Sequence, residues 1–216
     1  SQLVAQLLGA EPGHRVVDFC AGAGGKTLAV AAQMANKGRI IACDVSEGRL
    51  KRCTERLRKA GVHTVETRLL TSESDKWVKR HKLSFDRVLI DAPCSGTGTW
   101  RRNPDARWRA EEAAGLDALF ALQARILSSA ARLVKPGGRL VYATCSLLPQ
   151  ENEDQVAAFL AAQPEFQVIP MSEVAPTLPS AHPEFLSLTP ARHNTDGFFA
   201  AVLQRKAAEA TVGAEE

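Results

Sequence analysis

Asp18-Phe19-Cys20-Ala21-Gly22-Ala23-Gly24-Gly25-Lys26-Thr27 is the stretch on which the reading of this chain turns. It follows an apolar run of strand type, Arg15–Phe19, and opens a helix predicted over roughly Lys26–Asn36. Glycines let a backbone approach a ligand closely, and a helix N-terminus offers unpaired N–H groups and a positive dipole end. Three ligand classes use such a turn. A phosphate-binding P-loop needs a glycine five residues before its final Gly-Lys, and Cys20 stands there, so the ATP reading fails. A dinucleotide fingerprint needs G-x-G-x-x-G, and Gly22-x-Gly24 is followed by Thr27. What remains is the looser glycine turn of S-adenosylmethionine enzymes, whose ligand has no phosphate to cradle. Cys20, Ala21, Gly22, Ala23, Gly24, Gly25 and Lys26 are its candidate cofactor contacts.

Outward from this turn, apolar strand-type segments alternate with longer helical ones, the pattern of βαβ units around a parallel sheet. Further strands are predicted at Arg39–Cys43, Val62–Thr67, Phe85–Ile90, Arg139–Ala143, Phe166–Ile169 and Phe198–Leu203. The expectation is an α/β fold with a doubly wound, mostly parallel, seven-stranded sheet. Ser46 is the expected N-cap of a helix through about Ala60, with Leu50, Cys53 and Leu57 as its buried stripe. A long helix from about Glu111 to Val134 and another over Glu151–Ala162 follow. The proline-rich segment Met171–Asn194 reads as an ordered surface loop, and Ala207–Glu216 as a frayed tail to a catalytic domain over 1–206. Asp44, directly after the second strand, stands where a carboxylate accepts both ribose hydroxyls of a nucleoside. Its plainer role is a helix-cap aspartate beside Ser46.

Composition narrows the class. With 216 residues, 45% of them hydrophobic, one domain with a sizeable core is expected. No apolar run reaches the roughly 18 residues of a membrane span, and no basic-then-apolar leader opens the chain, so a cytoplasmic protein is expected. The five cysteines are odd in number, form no C-x-x-C and sit in no ligand spacing with histidine, which argues against a disulfide framework or a zinc site. The formal charge of +3 says little alone. Its distribution says more: Lys51, Arg52, Arg56, Arg58 and Lys59 form one cluster, and Arg101, Arg102, Arg107 and Arg109 another.

Two cysteines lie just past strand ends. Strand four runs into Asp91-Ala92-Pro93-Cys94-Ser95-Gly96-Thr97-Gly98, and strand five into Thr144-Cys145-Ser146. Ligands of a doubly wound sheet sit beyond the carboxyl ends of its strands, so neighbouring strands four and five would bring both thiols to the crevice that the glycine turn faces. Free cysteine is more often a small core residue, and Cys43 and Cys53 are read that way. Cys94 and Cys145 stand among small polar residues instead.

These motifs, D-F-C-A-G-A-G-G-K-T, D-A-P-C-S-G-T-G and A-T-C-S, closely resemble the RNA cytosine-C5 methyltransferases of the Sun (Fmu) type, with similarity from Gln2 to Phe199. The resemblance implies a class I, Rossmann-like methyltransferase fold, S-adenosylmethionine as cofactor with S-adenosylhomocysteine as product, Cys145 as nucleophile and Cys94 assisting product release. It also implies that Lys26 reaches into the active site, where its plain role would be a solvated first-turn residue. The chemistry agrees with that division. Carbon 5 of cytosine is a poor nucleophile, and a thiolate adding to C6 activates it. A thiol of pKa roughly 8.5 is only a few per cent ionised at neutral pH, so the site should depress it, with Lys26 or the cofactor's sulfonium as the expected source. Asp91 is expected to hydrogen-bond the N3/N4 edge of the cytosine, and counts also among the cofactor contacts.

There are two departures from the family pattern. Ala23 replaces a proline, a conservative change where backbone shape contacts the ligand. The family's aspartate after the third strand, near the cofactor adenine, has no counterpart in Glu66-Thr67-Arg68-Leu69-Leu70-Thr71; Glu66, a backbone group or packing would take its place. Members of the family often carry an N-terminal RNA-binding region in addition to the catalytic domain. The segment Trp100–Arg109, with four arginines and two tryptophans, suits phosphate contacts and stacking on single-stranded RNA. Its bland alternative is a solvated loop anchored by Trp108. The expected partner is a single-stranded or flipped-out cytosine of ribosomal or transfer RNA, met by a monomer. A DNA cytosine-C5 methyltransferase would use the Pro-Cys cysteine instead, and a non-catalytic RNA-binding module would need neither thiol.

Overall fold

The computed structural model describes residues 2–105, 113–178, 180 and 182–207. Eight strands form one sheet: β1 (Arg15–Asp18), β2 (Arg39–Asp44), β3 (Val65–Leu69), β4 (Phe85–Asp91), β5 (Val134–Thr144), β6 (Phe166–Val168), β7 (Leu186–Leu188) and β8 (Phe198–Arg205). Their order is β3-β2-β1-β4-β5-β8-β6, with β7 paired to β8 off this path. β1 to β5 run parallel, and β8 lies antiparallel to β5, β6 and β7. The strand order reverses between β1 and β4, which opens a crevice at their carboxyl ends.

The helices are α1 (Gln2–Leu8), α2 (Gly25–Gln33), α3 (Glu47–Lys59), α4 (Lys76–Arg80), α5 (Ala113–Ala131), α6 (Glu153–Ala162), α7 (Met171–Val174) and α8 (Pro190–His193). Successive strand residues point to opposite faces, and each face is covered. Val16, Ile40, Leu89 and Val141 pack with Val4 and Leu8 of α1, Val30 of α2 and Met34 just past its end. Val17, Ile41, Val88 and Tyr142 pack with Leu127 and Phe159 of α5 and α6 on the other side. α1, absent from the sequence reading, is also held by half-buried guanidinium groups: Arg139 Nη1 donates to the Leu7 carbonyl and Arg87 Nε to that of Gly9. These bonds satisfy carbonyls that a helix C-terminus leaves unpaired. α3 starts at the expected cap, Ser46 Oγ accepting from Arg49 N, and buries Leu50, Cys53 and Leu57.

Four expectations are corrected. The sheet has eight strands rather than seven. The extra one, β7, lies inside Met171–Asn194, which also carries α7 and α8 and is therefore not simply a loop. These elements are three or four residues long, too short for a period to emerge. The long helix ends at Ala131 and not Val134, because Leu133 accepts from Ser84 and Phe85 and Val134 already pairs with Phe85 in the sheet. The third strand starts three residues late, at Val65. Arg107, Trp108 and Arg109, the first residues of that helix, and 208–216 of the expected tail lie outside the described residues. Among the described residues no helix is long and apolar enough to cross a membrane.

Candidate active site

A cavity of about 890 Å³ opens at the reversal of strand order. Gly22 and Gly24 of the turn after β1 adopt left-handed backbone, φ +55° and +81°, where a side chain would be strained. Their surroundings differ. A Cβ on Gly24 would lie 2.5 Å from Cys53 Sγ, so α3 packs directly beneath the turn and Cys53 is the core residue that shapes it. A Cβ on Gly22 would meet no protein atom within 4 Å, because Gly22 faces the cavity.

Asp44, at the end of β2, holds the turn from the far side. Its Oδ2 accepts from Gly22 N at 2.9 Å and its Oδ1 from Ser46 N at 2.8 Å. It thus ties the glycine turn to the start of α3 while lining the cavity. Each oxygen retains a lone pair for a further donor. Asp18, at the end of β1, lies at the cavity floor, almost wholly buried; Oδ2 accepts from Thr27 Oγ1 at 2.7 Å while Oδ1 has no partner. Burial outweighs the Thr27 hydrogen bond and pushes its carboxyl up to about 7. Burial, then the charge of Asp18, pushes the Cys20 thiol well up, which keeps it protonated beside the site.

Lys26, one residue into α2, reaches across the strand-order reversal to β4, Nζ standing 2.5 Å from Asp91 Oδ2. Beyond Asp91 the chain turns to Cys94, and beyond the adjacent end of β5 to Cys145. The two sulfurs are 3.3 Å apart, and both residues line the cavity. Both thiols are free. The hydrogen bond from Cys94 holds the Cys145 thiol below its ordinary value, and the Lys26 charge adds to this, against burial and Asp91. The same contact, together with burial, pushes the Cys94 thiol up. Of the two thiols, Cys145 is thus the more acidic and Cys94 the less. Lys26, which adds to this depression, is at the same time engaged by Asp91.

Hydroxyl groups stitch the two cysteine loops together. Ser146 Oγ lies 3.2 Å from Ser95 Oγ and 3.1 Å from Thr97 Oγ1, and Gly98 N donates to the Cys145 carbonyl at 2.9 Å. Glu151, fully buried, accepts from Ser95 N and from Gln123 Nε2. The sequence reading missed Asp18, Gln123 and Glu151 as site residues. A buried acid with three donors has no local sequence signature, although Asp18 opened the very motif that was read.

Where the family's third-strand aspartate would stand, the cavity is lined by Leu70, with Val45, Leu122 and Ile126 nearby. Glu66 does not line it and pairs with Arg39 at 2.7 Å, whereas Glu73 does line it and pairs with Arg125 at 2.8 Å. Of the two basic clusters, Arg52 lines the cavity beside Arg49. Arg102 pairs with Asp196 and Arg101 Nη1 donates to the Asn194 carbonyl, so these two arginines anchor the loop onto the segment before β8.

The profile of a family described as 16S rRNA methyltransferase RsmB/F matches residues 5–204. Ribosomal RNA small subunit methyltransferase B of Klebsiella pneumoniae (strain 342) is 39% identical over 196 residues, covering 91% of this chain and 43% of that protein. The chain spans about half the length of the curated relatives it matches. Among solved structures, NSun6 from Pyrococcus horikoshii with SFG superposes with a TM-score of 0.82 at 26% identity, covering 96% of this chain and 52% of that one. A methyltransferase homolog protein from Pyrococcus horikoshii superposes with a TM-score of 0.76 at 31% identity, covering 94% and 65%.

Proposed function

Since the chain belongs to the 16S rRNA methyltransferase RsmB/F family, we propose that it methylates carbon 5 of a cytosine in ribosomal RNA, with S-adenosylmethionine as cofactor. The observation that carries this reading is the pair of free thiols 3.3 Å apart at the rim of the glycine-turn cavity. A structural pair of cysteines would lie in the core, as Cys43 and Cys53 do.

The residues present fit the cofactor. Gly22 leaves space that a side chain would fill, Asp44 keeps lone pairs for two ribose hydroxyls, and Asp18 Oδ1 has no partner in the protein. Cys20, Ala21, Ala23, Gly25 and Lys26 complete the wall on that side. When bound, S-adenosylmethionine supplies a methyl group made electrophilic by its sulfonium.

The chain's own residues do the rest. The Cys145 thiolate adds to C6 of the cytosine, forming a C–S bond and moving the C5–C6 electron pair toward C5. Asp91, with one oxygen on Lys26, offers the other to the N3/N4 edge of the base, where a proton on N3 accepts the charge of the addition. After methylation the C5 proton leaves, the C6–S bond breaks and the ring double bond re-forms. Cys94, the thiol beside Cys145, serves this second half by giving its proton to the departing sulfur and, as the thiolate so formed, taking the C5 proton. The base reaches such a site single-stranded or flipped out, and the protein acts as a monomer in the cytoplasm.

Incubation with methyl-labelled S-adenosylmethionine and unmodified ribosomal RNA, followed by nucleoside mapping, tests the reading. Label in 5-methylcytosine supports it. RNA binding with no label transfer contradicts it.

A further inference from the structure

Cys94 sits between two peptide groups that are both held from behind. The Pro93 carbonyl, just before it, accepts from Gln123 Nε2 at 2.9 Å. The Ser95 N–H, just after it, donates to Glu151 Oε1 at 2.8 Å. The two holding side chains are joined, Gln123 Nε2 also donating to Glu151 Oε1 at 2.9 Å. Ser95 Oγ donates to the other oxygen, Oε2, at 2.5 Å. Glu151 and Gln123 are both fully buried, and neither lines the cavity.

A buried carboxylate is costly unless its lone pairs are met, and here three donors converge on it. Two of those donors belong to Ser95, the residue after Cys94. The Glu151 backbone is in turn tied to the strand that leads to Cys145: Tyr142 OH donates to the Glu151 carbonyl at 2.7 Å. The next residue, Asn152, accepts from Thr144 Oγ1 at 2.5 Å and donates to the Ser146 carbonyl at 3.0 Å. One short segment therefore grips the loop of each cysteine.

We propose that Glu151, with Gln123, is a positioning residue that clamps the peptide groups flanking Cys94 and so sets its sulfur against Cys145. The inference rests on the proposed catalytic reading for its kinetic consequence, but its geometric claim stands without it. Loss of the clamp leaves Cys145 on its strand and releases Cys94. The step that depends on Cys94, release of the covalent RNA adduct, suffers more than the step that forms the adduct. Glu151→Gln retains one acceptor oxygen for Ser95 N and Gln123, and its amide replaces the second contact to Ser95 Oγ, so it preserves the clamp. Glu151→Ala removes it.

Two measurements test this on the full chain. The first needs no RNA. Hydrogen peroxide converts two adjacent thiols to a disulfide and is itself reduced to two waters, at a rate set by how often the sulfurs meet. Glu151→Ala should form the Cys94–Cys145 disulfide roughly tenfold more slowly than the parent, and Glu151→Gln at the parent rate. The second follows adduct formation and release on denaturing gels with S-adenosylmethionine and RNA. Glu151→Ala should form adduct but release it roughly tenfold more slowly, toward the behaviour of Cys94→Ser, with Glu151→Gln restoring release. Gln123→Met keeps the volume and removes the amide, whose oxygen has no partner, and should repeat both effects if Glu151→Ala fails to fold. An unchanged disulfide rate in folded Glu151→Ala or Gln123→Met overturns the clamp. So does a slowing that Glu151→Gln does not reverse. If Cys94→Ser forms no adduct while the disulfide rates behave as stated, the clamp stands and the catalytic reading falls.

Discussion

Lys26 Nζ lies 2.5 Å from Asp91 Oδ2, joining the first turn of α2 to the residue that closes β4 across the reversal of strand order. The pair welds the cofactor side of the cavity to the cysteine side. Lys26→Met leaves Asp91 without its cation and free to turn from the base it is proposed to hold. Single-turnover methyl transfer should fall by about 10²-fold, with cofactor affinity much less affected. Rapid-quench kinetics beside a cofactor titration separates the two effects, and an equal loss in both would refute this division.

Asp44 carries two backbone hydrogen bonds, from Gly22 and Ser46, at the wall proposed for the ribose. Asp44→Ala removes them together with the carboxylate. Affinity for S-adenosylhomocysteine should fall about 10- to 100-fold, the size of one or two lost charge-assisted hydrogen bonds. Calorimetric titration reads this directly, and an unchanged affinity would remove Asp44 from the site.

Asp18 makes stability depend on pH in an unusual direction. Its carboxyl rises from an ordinary 3.8 to about 7 in the folded chain, so the folded state holds a proton that the unfolded state releases. Its stabilising contribution is complete below about pH 4, declines as pH rises and is lost once pH passes about 7. The loss is on the order of a few kcal/mol. Asp18→Asn does not titrate, so its Tm relative to the parent should improve from pH 5 to pH 8. A difference that stays constant with pH would contradict the assignment.

Gly98 is in backbone contact with two other segments. A Cβ there would lie 2.3 Å from the Gly197 carbonyl oxygen and 2.8 Å from that of Cys145. Gly98→Ala should push the Cys145 loop and the segment before β8 apart and cost about 1–3 kcal/mol. Urea unfolding measures the loss, and full stability would show that the contact yields more easily than its geometry implies.

Much of this architecture was legible because its signals are local. The glycine turn, Asp44, Asp91 and both reactive cysteines each stand at a strand end, where a short motif and the rule for doubly wound sheets place them together. Leu50, Cys53 and Leu57 announced the buried face of α3 by spacing alone. The clamp behind Cys94 was not legible: Gln123 lies mid-helix and Glu151 in a short turn, and only the packed fold brings them to Pro93 and Ser95. The Arg102–Asp196 ion pair was not legible either, because nothing in the segment of Arg102 reveals a partner 94 residues away. β7 escaped because three residues stabilised by antiparallel pairing to β8 show no alternation of their own.

The division of labour between the two thiols is the central claim, and covalent trapping measures it most directly. Cys94→Ser and Cys145→Ser are each mixed with S-adenosylmethionine and substrate RNA and resolved on a denaturing gel. Cys94→Ser should accumulate a covalent protein–RNA complex, because the adduct forms on Cys145 and is not resolved, and Cys145→Ser should form none. A complex on Cys145→Ser but not on Cys94→Ser would reverse the roles, and none on either variant while RNA binds would contradict the covalent account.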